Sequence, residues 1–374
     1  MADEPSVPVQ TPGVQAVRPG TSDAGGERPT AADARPGFGW VADGGGGVSA
    51  AGILGAGHHL PLRVLTNEEI TRTMDTSDEW IQSRTGIRQR RVAAEEEATS
   101  DLALPAARQA LTRAGVAAAD LDLILVATVT PDHAFPSTAC VLQERIGAKR
   151  AAAMDISAAC TGFLYGLSTA EALIRAGSIR YALVVGAEVL SKIVNWQDRS
   201  TAILLGDGAG AAVLGPAPYG FGVLSTYLGA DGSGGPLVCM PAGGSRMPTT
   251  PETLRAGLNT FRQNGREVYR FAIQIMGDAA EEALSRARLS PADVALLVPH
   301  QANYRIIEAA ARRFGFPMDR VWVNIDRYGN TSSASIPIGL SEAAGAGRLR
   351  RGDIVLAVAF GGGLTWGSAV VRWL

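Results

Sequence analysis

The chain has 374 residues, of which 46% are hydrophobic and 19% charged, a composition typical of a soluble globular protein. Its formal net charge of −2 favours neither nucleic acid nor an anionic membrane as a partner, and no apolar run reaches the roughly 18 residues that a membrane span needs. The three cysteines include no CxxC pair, which argues against a disulfide framework and a zinc site, so we expect a cytoplasmic protein without a metal.

Residues 1–46 are predicted to form a disordered tail. They are mostly Pro, Gly, Ala, Ser, Thr and charged residues, without the apolar periodicity that a buried core requires. The opening sequence, MADEPSVPVQ, has neither the basic nor the apolar region of a signal peptide. The first predicted strand is VSAAGILGAG, residues 48–57, and we expect the folded part of the chain to begin there.

Strand-like and helix-like patterns alternate through the rest of the chain. Nearly continuous apolar runs predict strands at residues 121–129, 181–190, 294–300 and 353–363. Such runs are typical of strands buried on both faces, which favours a mostly parallel sheet covered by helices. Amphipathic patterns predict these helices at 100–116 and 276–290. The glycine-rich segment LLGDGAGAAVL matches no nucleotide-binding motif, and we expect its glycines to let backbones pack closely.

The order of these elements repeats along the chain. Two stretches of similar length each lead from a strand through a loop of small and polar residues to a helix and a further strand. Cys160 lies in the first loop and Asn330 in the second, at the corresponding place. We therefore expect duplicated α/β halves, at residues 47–220 and 221–374, whose loops face each other across a pseudo-twofold axis.

Cys160 lies in DISAACTGF, where a strand-like pattern gives way to a helical one. A free cysteine of this kind often simply packs in the core. At the first turn of a helix, however, unpaired N–H groups and the helix dipole favour a thiolate, which is the nucleophilic form. The small neighbours Ala158, Ala159 and Gly162 would leave room for a substrate. The motif alone leaves both interpretations open.

Two further polar residues occupy similar positions at element ends. His300 closes a predicted strand, and Asn330 lies in YGNTSSASIP, where a helix is predicted to begin. Taken singly, the histidine could be a structural hydrogen-bonding residue and the asparagine a turn or N-cap residue. Together with Cys160 they supply a nucleophile, a base or proton donor, and a neutral hydrogen-bond donor. The loop AFGGGLTWG could add backbone N–H groups for an oxyanion hole.

The chain resembles the β-ketoacyl-acyl-carrier-protein synthase III family from about residue 48 to its C-terminus. The resemblance is carried by six motifs in order: TSDEWIQSRTGIRQR, DISAACTGF, DRSTAILLGDGAGA, VPHQANYRI, NIDRYGNTSSASIP and AFGGGLTWGSAVVRW. It implies an α/β protein of the thiolase-like fold, with two duplicated halves in a layered αβαβα arrangement. It also implies an initiating condensing enzyme of type II fatty acid synthesis.

The resemblance assigns roles to particular residues. Cys160 corresponds to the acyl-accepting nucleophile, with His300 and Asn330 as its partners, and Gly362 would join the Cys160 N–H in the oxyanion hole. The remaining assignments are coenzyme A contacts at Trp80 and Arg199, carrier-protein contacts at Gln301, Ala302, Asn303, Tyr304 and Arg305, and a contact with the partner subunit's acyl pocket at Phe135. A homodimer is therefore implied. Acyl-CoA and malonyl-acyl carrier protein are the implied substrates, and no cofactor is expected.

The reaction implied is a decarboxylative condensation that gives a 3-ketoacyl carrier protein, coenzyme A and carbon dioxide through an acyl-cysteine. Elongating synthases pair the cysteine with two histidines, whereas Asn330 takes the second place here. Degradative thiolases need a second cysteine near the last glycine loop, and none follows Cys239. Two alternatives remain: a starter ketosynthase or acyltransferase of secondary metabolism, and a non-catalytic module that binds the carrier protein.

Overall fold

The computed structural model describes residues 50–374, and the predicted tail at residues 1–46 lies outside the described residues. The strands are β1 (Ala51–His59), β2 (Arg63–Thr66), β3 (Gln89–Val92), β4 (Leu123–Ala127), β5 (Ala152–Ile156), β6 (Ala182–Glu188), β7 (Gly208–Pro216), β8 (Gly222–Ala230), β9 (Val238–Cys239), β10 (Arg262–Gln263), β11 (Val294–Pro299), β12 (Ile354–Gly361) and β13 (Thr365–Arg372). The helices are α1 (Asn67–Thr71), α2 (Asp78–Thr85), α3 (Thr99–Ala114), α4 (Thr138–Ile146), α5 (Gly162–Arg175), α6 (Arg199–Ala202), α7 (Pro251–Arg255), α8 (Gly265–Ala287), α9 (Tyr304–Arg313), α10 (Ile325–Tyr328) and α11 (Ser335–Gly345).

Two large sheets repeat the same topology. The first has the strand order β1-β7-β6-β4-β5, and the second has β8-β13-β12-β11. The pairings correspond one by one, with the same sense in both sheets: two antiparallel pairs lead into a parallel pair, β4 with β6 or β11 with β12. A parallel bridge between Leu297 and Val321 stands where the first sheet has β5. The predicted duplication of α/β halves is confirmed.

The prediction of mostly parallel sheets is confirmed, with one strand in each large sheet running against the others. In the first sheet β7 pairs antiparallel with both of its neighbours, and in the second sheet β13 does the same. The strands predicted from continuous apolar runs pair parallel, β4 with β6 and β11 with β12, as expected for strands covered by helices on both faces.

The elements stack in five layers, helix, sheet, helix, sheet, helix. Helices α5 and α11 lie between the two sheets, in a core to which both sheets contribute side chains such as Leu125 and Val355. Helices α3 and α4 cover the outer face of the first sheet, and α8 and α9 cover that of the second. Within residues 50–374, no helix is both long and apolar enough to cross a bilayer.

Glycines permit close backbone contact where the two halves meet. A Cβ atom added to Gly186 on β6 would lie 2.2 Å from the carbonyl oxygen of Ser333. In the segment LLGDGAGAAVL, a Cβ at Gly206 would lie 2.1 Å from the Tyr328 carbonyl oxygen, and one at Gly210 would lie 2.5 Å from Ile338 N. These glycines hold the turn before α11 against the first sheet, as the sequence predicted.

We predict that Gly186→Ala lowers the melting temperature by several degrees, because the new methyl group meets rigid backbone and such overpacking costs about 1–3 kcal/mol. The matched control is Gly265→Ala at the start of α8, where no described atom lies within 4 Å of the added Cβ apart from its chain neighbours and its own helix backbone. Differential scanning fluorimetry of both variants provides the measurement. Equal melting temperatures for Gly186→Ala and wild type would contradict the proposed close contact.

Candidate active site

Cys160 occupies a tight turn, Ala159–Thr161, between β5 and α5. Ala159 has a φ of 47°, a left-handed conformation that is uncommon outside glycine and stores strain. A Cβ at Gly361 would lie 2.8 Å from Cys160 N, so a glycine is needed for the loop after β12 to approach this N–H. Thr365 Oγ1 lies 2.9 Å from Thr161 Oγ1, which ties the turn to β13.

A second turn of the same kind, Ser332–Ala334, precedes α11 and contacts the first turn. Its leading residue, Ser332, has a φ of 49°, close to that of Ala159 at the corresponding position. Asn330 stands just before this turn, and its Oδ1 accepts a hydrogen bond of 2.8 Å from Ser332 N. Because Oδ1 is engaged, the amide NH₂ of Asn330 is the group that remains for a ligand.

His300 follows β11 and is fully buried. Its backbone N donates to Val358 O, and its Nδ1 lies 2.8 Å from Ser335 Oγ at the start of α11. Within the described chain, Nε2 is buried and has no hydrogen-bond partner. The imidazole meets Phe360 edge-on, with 5.5 Å between ring centroids. A buried polar atom without a protein partner calls for a substrate or water.

Burial keeps both reactive groups uncharged in the resting site. Burial lowers the pKa of His300 to about 3, so the imidazole is neutral near pH 7. Burial also raises the pKa of the Cys160 thiol to about 12, although the Ser332 hydroxyl acts in the opposite direction. The cost of desolvating the thiolate therefore exceeds the stabilisation expected from the helix start. In the resting site a neutral thiol stands beside a neutral imidazole.

One cavity of about 490 Å³ joins Cys160, His300 and Asn330, and Gly362 lines it as well. The three predicted residues thus come together, although Cys160 and Asn330 belong to different halves. Apolar side chains form much of the wall: Val129, Leu190, Leu205, Val238, Phe261 and Phe360. The combination of an apolar channel and a few convergent polar groups is typical of a small-molecule site.

Trp80 lines the same cavity, and the Arg199 side chain packs on the Trp80 ring. The Arg199 guanidinium carbon is 4.6 Å from the centroid of the Trp80 ring, in a cation–π contact. Arg199 Nη1 also donates a hydrogen bond of 2.7 Å to the Asp75 carbonyl oxygen. The structure therefore brings this predicted pair together beside the channel that leads to Cys160.

Gln301 requires a correction. It was assigned to the carrier-protein contact segment, but it is only 1% exposed. Its Nε2 donates to the carbonyl oxygens of Pro299 and Trp322, and its Oε1 accepts from the backbone N–H groups of Asn324 and Ile325. Gln301 therefore braces the segment that precedes Asn330, and it cannot contact a docking protein directly. Sequence order alone could not separate this buried glutamine from its exposed neighbours.

The rest of that segment approaches the surface. Ala302 and Asn303 line the cavity, and Asn303 Oδ1 caps α9 by accepting from Arg305 N. Tyr304 packs against Gly86, where an added Cβ would lie 2.4 Å from the tyrosine Cβ. Arg305 is exposed at the first turn of α9. Within residues 301–305, Arg305 is thus the only exposed charge available to a partner.

Phe135 lies apart from the cavity, whereas two serines that the sequence analysis did not name lie within the site. Phe135 is 86% exposed and does not line this chain's own cavity. Sequence reasoning missed Ser332, which faces Cys160, and Ser335, which contacts His300. The signal for both was the unusual density of hydroxyl residues in NTSSASIP, directly ahead of a buried helix.

Two family models match the chain. The model for 3-oxoacyl-[acyl-carrier-protein] synthase III matches residues 154–232, and the model for the C-terminal part of the same enzyme matches residues 284–373. The first match includes Cys160, and the second includes His300 and Asn330.

Curated relatives carry the same name. A β-ketoacyl-acyl-carrier-protein synthase III from Caldanaerobacter subterraneus subsp. tengcongensis is 54% identical over 324 residues, covering 87% of this chain and 98% of the relative. Its counterpart from Symbiobacterium thermophilum is 53% identical over 326 residues, covering 87% of this chain and 99% of the relative.

Solved structures of the same kind superpose well. The synthase III of Thermus thermophilus is 50% identical, with a TM-score of 0.81 and coverage of 86% of this chain and 99% of that one. A priming β-ketosynthase from a polyketide biosynthetic pathway has a TM-score of 0.82 but only 34% identity, with coverage of 87% and 96%. The shared architecture therefore extends to polyketide enzymes, whereas the higher identity lies with the synthase III proteins.

Proposed function

Because the chain belongs to the 3-oxoacyl-[acyl-carrier-protein] synthase III family, we propose that Cys160, His300 and Asn330 carry out the two half-reactions of that enzyme. The protein is an initiating condensing enzyme of fatty acid synthesis with the thiolase-like fold. It joins an acyl-CoA starter to malonyl-acyl carrier protein and releases coenzyme A and carbon dioxide. The polyketide and acyltransferase alternatives are not favoured, since the curated relatives at 54% identity are named synthase III.

In the first half-reaction the Cys160 sulfur attacks the thioester carbon of acyl-CoA. The N–H groups of Cys160 and Gly362 stabilise the tetrahedral oxyanion, and the thiol proton leaves with coenzyme A, so charge is conserved overall. Trp80 and Arg199 hold the adenine at the entrance. Because the Arg199 guanidinium now rests on the indole at 4.6 Å, the base must displace it to stack on that face of the ring.

In the second half-reaction malonyl carrier protein loses carbon dioxide, and its enolate attacks the acyl-cysteine. The enolate oxygen accepts hydrogen bonds from His300 Nε2–H and the Asn330 amide. This tautomer is compatible with the neighbouring contact, since the Ser335 hydroxyl can then donate to Nδ1. Both donors are neutral and keep their protons. The negative charge of the enolate passes to the Cys160 sulfur, which leaves as a thiolate and takes up a proton from solvent to regenerate the thiol.

One observation supports this assignment most strongly. In a single cavity, His300 presents an orphaned buried Nε2, and Asn330 presents an amide whose oxygen is already engaged. Both groups therefore have donor capacity to offer to a substrate oxygen near Cys160. No such pairing is needed to hold the fold together, which distinguishes a substrate site from a structural polar cluster.

The carrier protein docks, we propose, on the exposed face of α9 beside the cavity. Arg305 and Arg312 lie seven residues apart and so on one face of the helix. The Arg312 side chain is 77% exposed and forms only an exposed ion pair of 3.6 Å with Glu308, which contributes little and can be exchanged for a partner's carboxylate. Arg313 is excluded from this surface, because it binds Asp278 at 2.6 Å and packs over Gly277. Two exposed guanidinium groups suit an acidic partner, which net charge alone would not attract.

We also propose a cytoplasmic homodimer that needs no cofactor or metal and does not bind nucleic acid or membranes. Within residues 50–374, strand β5 is the last strand of its sheet and pairs only with β4, so these residues leave one sheet edge open. Met154 on β5 is 45% exposed, and Phe135 extends from the loop after β4. A partner that covers this edge would bury both side chains, and Phe135 would reach the partner's acyl pocket.

We predict that Cys160→Ser abolishes acyl-enzyme formation, with a loss of about 1,000-fold or more, because an alcohol is far harder to ionise than a thiol. Intact-protein mass spectrometry after mixing with acyl-CoA gives the measurement. Cys140→Ser, which removes an exposed thiol outside the cavity, is the control and should acylate normally. Acylation of Cys160→Ser at the wild-type rate would exclude Cys160 as the nucleophile.

We predict that Arg305→Glu raises the KM for malonyl carrier protein by about 10-fold while acylation by acyl-CoA stays nearly unchanged, since charge reversal weakens electrostatic docking. The wild-type KM should also rise with salt, because exposed charges are screened beyond about 10 Å at about 0.1 M. Arg175→Glu, at the opposite end of α5 from Cys160, is the matched control. Equal KM values for all three proteins at low salt would place docking elsewhere.

A further inference from the structure

Glu188 is a buried acid to which the reaction described above assigns no role. It ends β6 beside the two active-site turns and is fully buried. Its Oε2 accepts hydrogen bonds from Thr128 Oγ1 at 3.1 Å, Val129 N at 3.0 Å and Thr130 Oγ1 at 2.8 Å. Its Oε1 lies 2.9 Å from Ser333 Oγ, in the turn that follows Asn330. Among residues 50–374, no basic side chain forms an ion pair with it.

Counting protons shows what this arrangement requires. Ser333 Oγ carries one hydrogen, yet it lies 2.8 Å from the Ala127 carbonyl oxygen as well as 2.9 Å from Glu188 Oε1. If Glu188 were ionised, Ser333 would face two pure acceptors and could satisfy only one. If Oε1 carries a proton, it donates to Ser333 Oγ, and Ser333 donates to Ala127 O.

The opposite oxygen fits the same assignment. The Thr128 hydroxyl accepts from Thr130 N and the Thr130 hydroxyl accepts from Val189 N, so each has its own hydrogen free to donate to Oε2. Oε2 is therefore an acceptor only, as the carbonyl oxygen of a carboxylic acid is. The four hydrogen bonds named above are then all satisfied with one proton on Oε1.

We propose that Glu188 is a neutral carboxylic acid that positions the Asn330 turn and the loop after β4, and that its neutrality keeps negative charge away from Cys160. The inference rests on the proposed role of Cys160 as nucleophile. Burial raises the pKa of Glu188, in agreement with the proton count. An ionised Glu188 would raise the pKa of the Cys160 thiol further and so oppose attack.

The other titratable groups on the elements around Glu188 are consistent with a neutral Glu188. They are the Cys160 thiol, the neutral His300 imidazole, the half-buried carboxyl of Asp155 and the buried carboxyl of Asp207. Asp155 accepts from Thr138 N and Ala139 N, and Asp207 accepts from Ala93 N and Ser191 N. None of these groups is a cation that could neutralise a charged Glu188.

The first test is infrared difference spectroscopy of wild type against Glu188→Gln at neutral pH. We expect the difference spectrum to contain the carbonyl stretch of a protonated carboxylic acid, shifted in D₂O, and no carboxylate bands. Glu342→Gln is the matched control, because Glu342 binds Arg327 at 3.0 Å and should lose carboxylate bands instead. Carboxylate bands in the Glu188 difference spectrum would overturn the proposal.

The second test uses the pH profile of Cys160 alkylation by iodoacetamide, followed by peptide mass spectrometry at Cys160. Replacing a neutral acid by a neutral amide should leave this profile unchanged in Glu188→Gln. Replacing an anion would move the profile to lower pH, since a nearby negative charge raises the pKa of a thiol. A shift of the Glu188→Gln profile to lower pH would therefore overturn the proposal. The measurement distinguishes a neutral Glu188 from an ionised one, whatever Glu188 contributes to the packing of the site.

Steady-state kinetics complete the series. Glu188→Gln should keep kcat within a factor of about 3 of wild type. The amide nitrogen can donate to Ser333 in place of the protonated Oε1, and the amide oxygen can accept hydrogen bonds in place of Oε2. Glu188→Ala leaves several buried donors unpaired and should lower kcat by about 10-fold or more with little change in the acyl-CoA KM. If the alanine variant does not fold, the spectrum and the alkylation profile of Glu188→Gln still decide. A loss in Glu188→Gln as large as that in Glu188→Ala would overturn the proposal.

The outcomes also separate this inference from the proposed function. Absence of the acid band together with normal acylation of Cys160 would reject the inference alone. Presence of the band in an enzyme that acylates elsewhere would reject the nucleophile assignment while Glu188 remained a neutral acid.

Discussion

The contact between two backbone turns is the constraint on which the rest of the structure depends. The turn at Ala159–Thr161 and the turn at Ser332–Ala334 both begin with a residue of positive φ and meet between the two sheets. They can meet only because the first sheet presents Gly186 to the Ser333 carbonyl oxygen. Duplication supplies two equivalent turns, and their contact places the cysteine of one half beside the asparagine of the other.

Burial of these turns determines the electrostatics of the site. Desolvation makes charge costly, and it moves the pKa of both Cys160 and His300 toward their neutral forms. A site built this way acts through preorganised neutral donors, which need no reorganisation when an oxyanion or an enolate forms. The protonated Glu188 that we infer extends the same principle, because it joins two loops through hydrogen bonds without adding a charge near the nucleophile.

The sequence predicted the parts of the structure that local patterns specify. Continuous apolar runs identified strands β4, β6, β11 and β12, and the strand-to-helix transition placed Cys160 at a turn. The antiparallel direction of β7 and β13 was not predicted, because burial produces the same apolar run in either sense. The roles of Gln301 and Glu188 could not be predicted from the sequence for a different reason. Their roles depend on partners far away in the chain, such as Ile325 for Gln301 and Ser333 for Glu188, and no spacing rule contains that information.

The most direct test of the account separates the two half-reactions in His300→Ala and Asn330→Ala. Rapid-quench measurements on enzyme already acylated at Cys160 would follow decarboxylation of malonyl carrier protein, and a parallel experiment would follow acylation itself. Each lost donor should slow decarboxylation by about 100-fold or more, or roughly 3 kcal/mol, while acylation changes little, because the enolate forms only in the second half-reaction. Equal losses in both half-reactions would contradict the account and would mean that these residues activate the thiol instead.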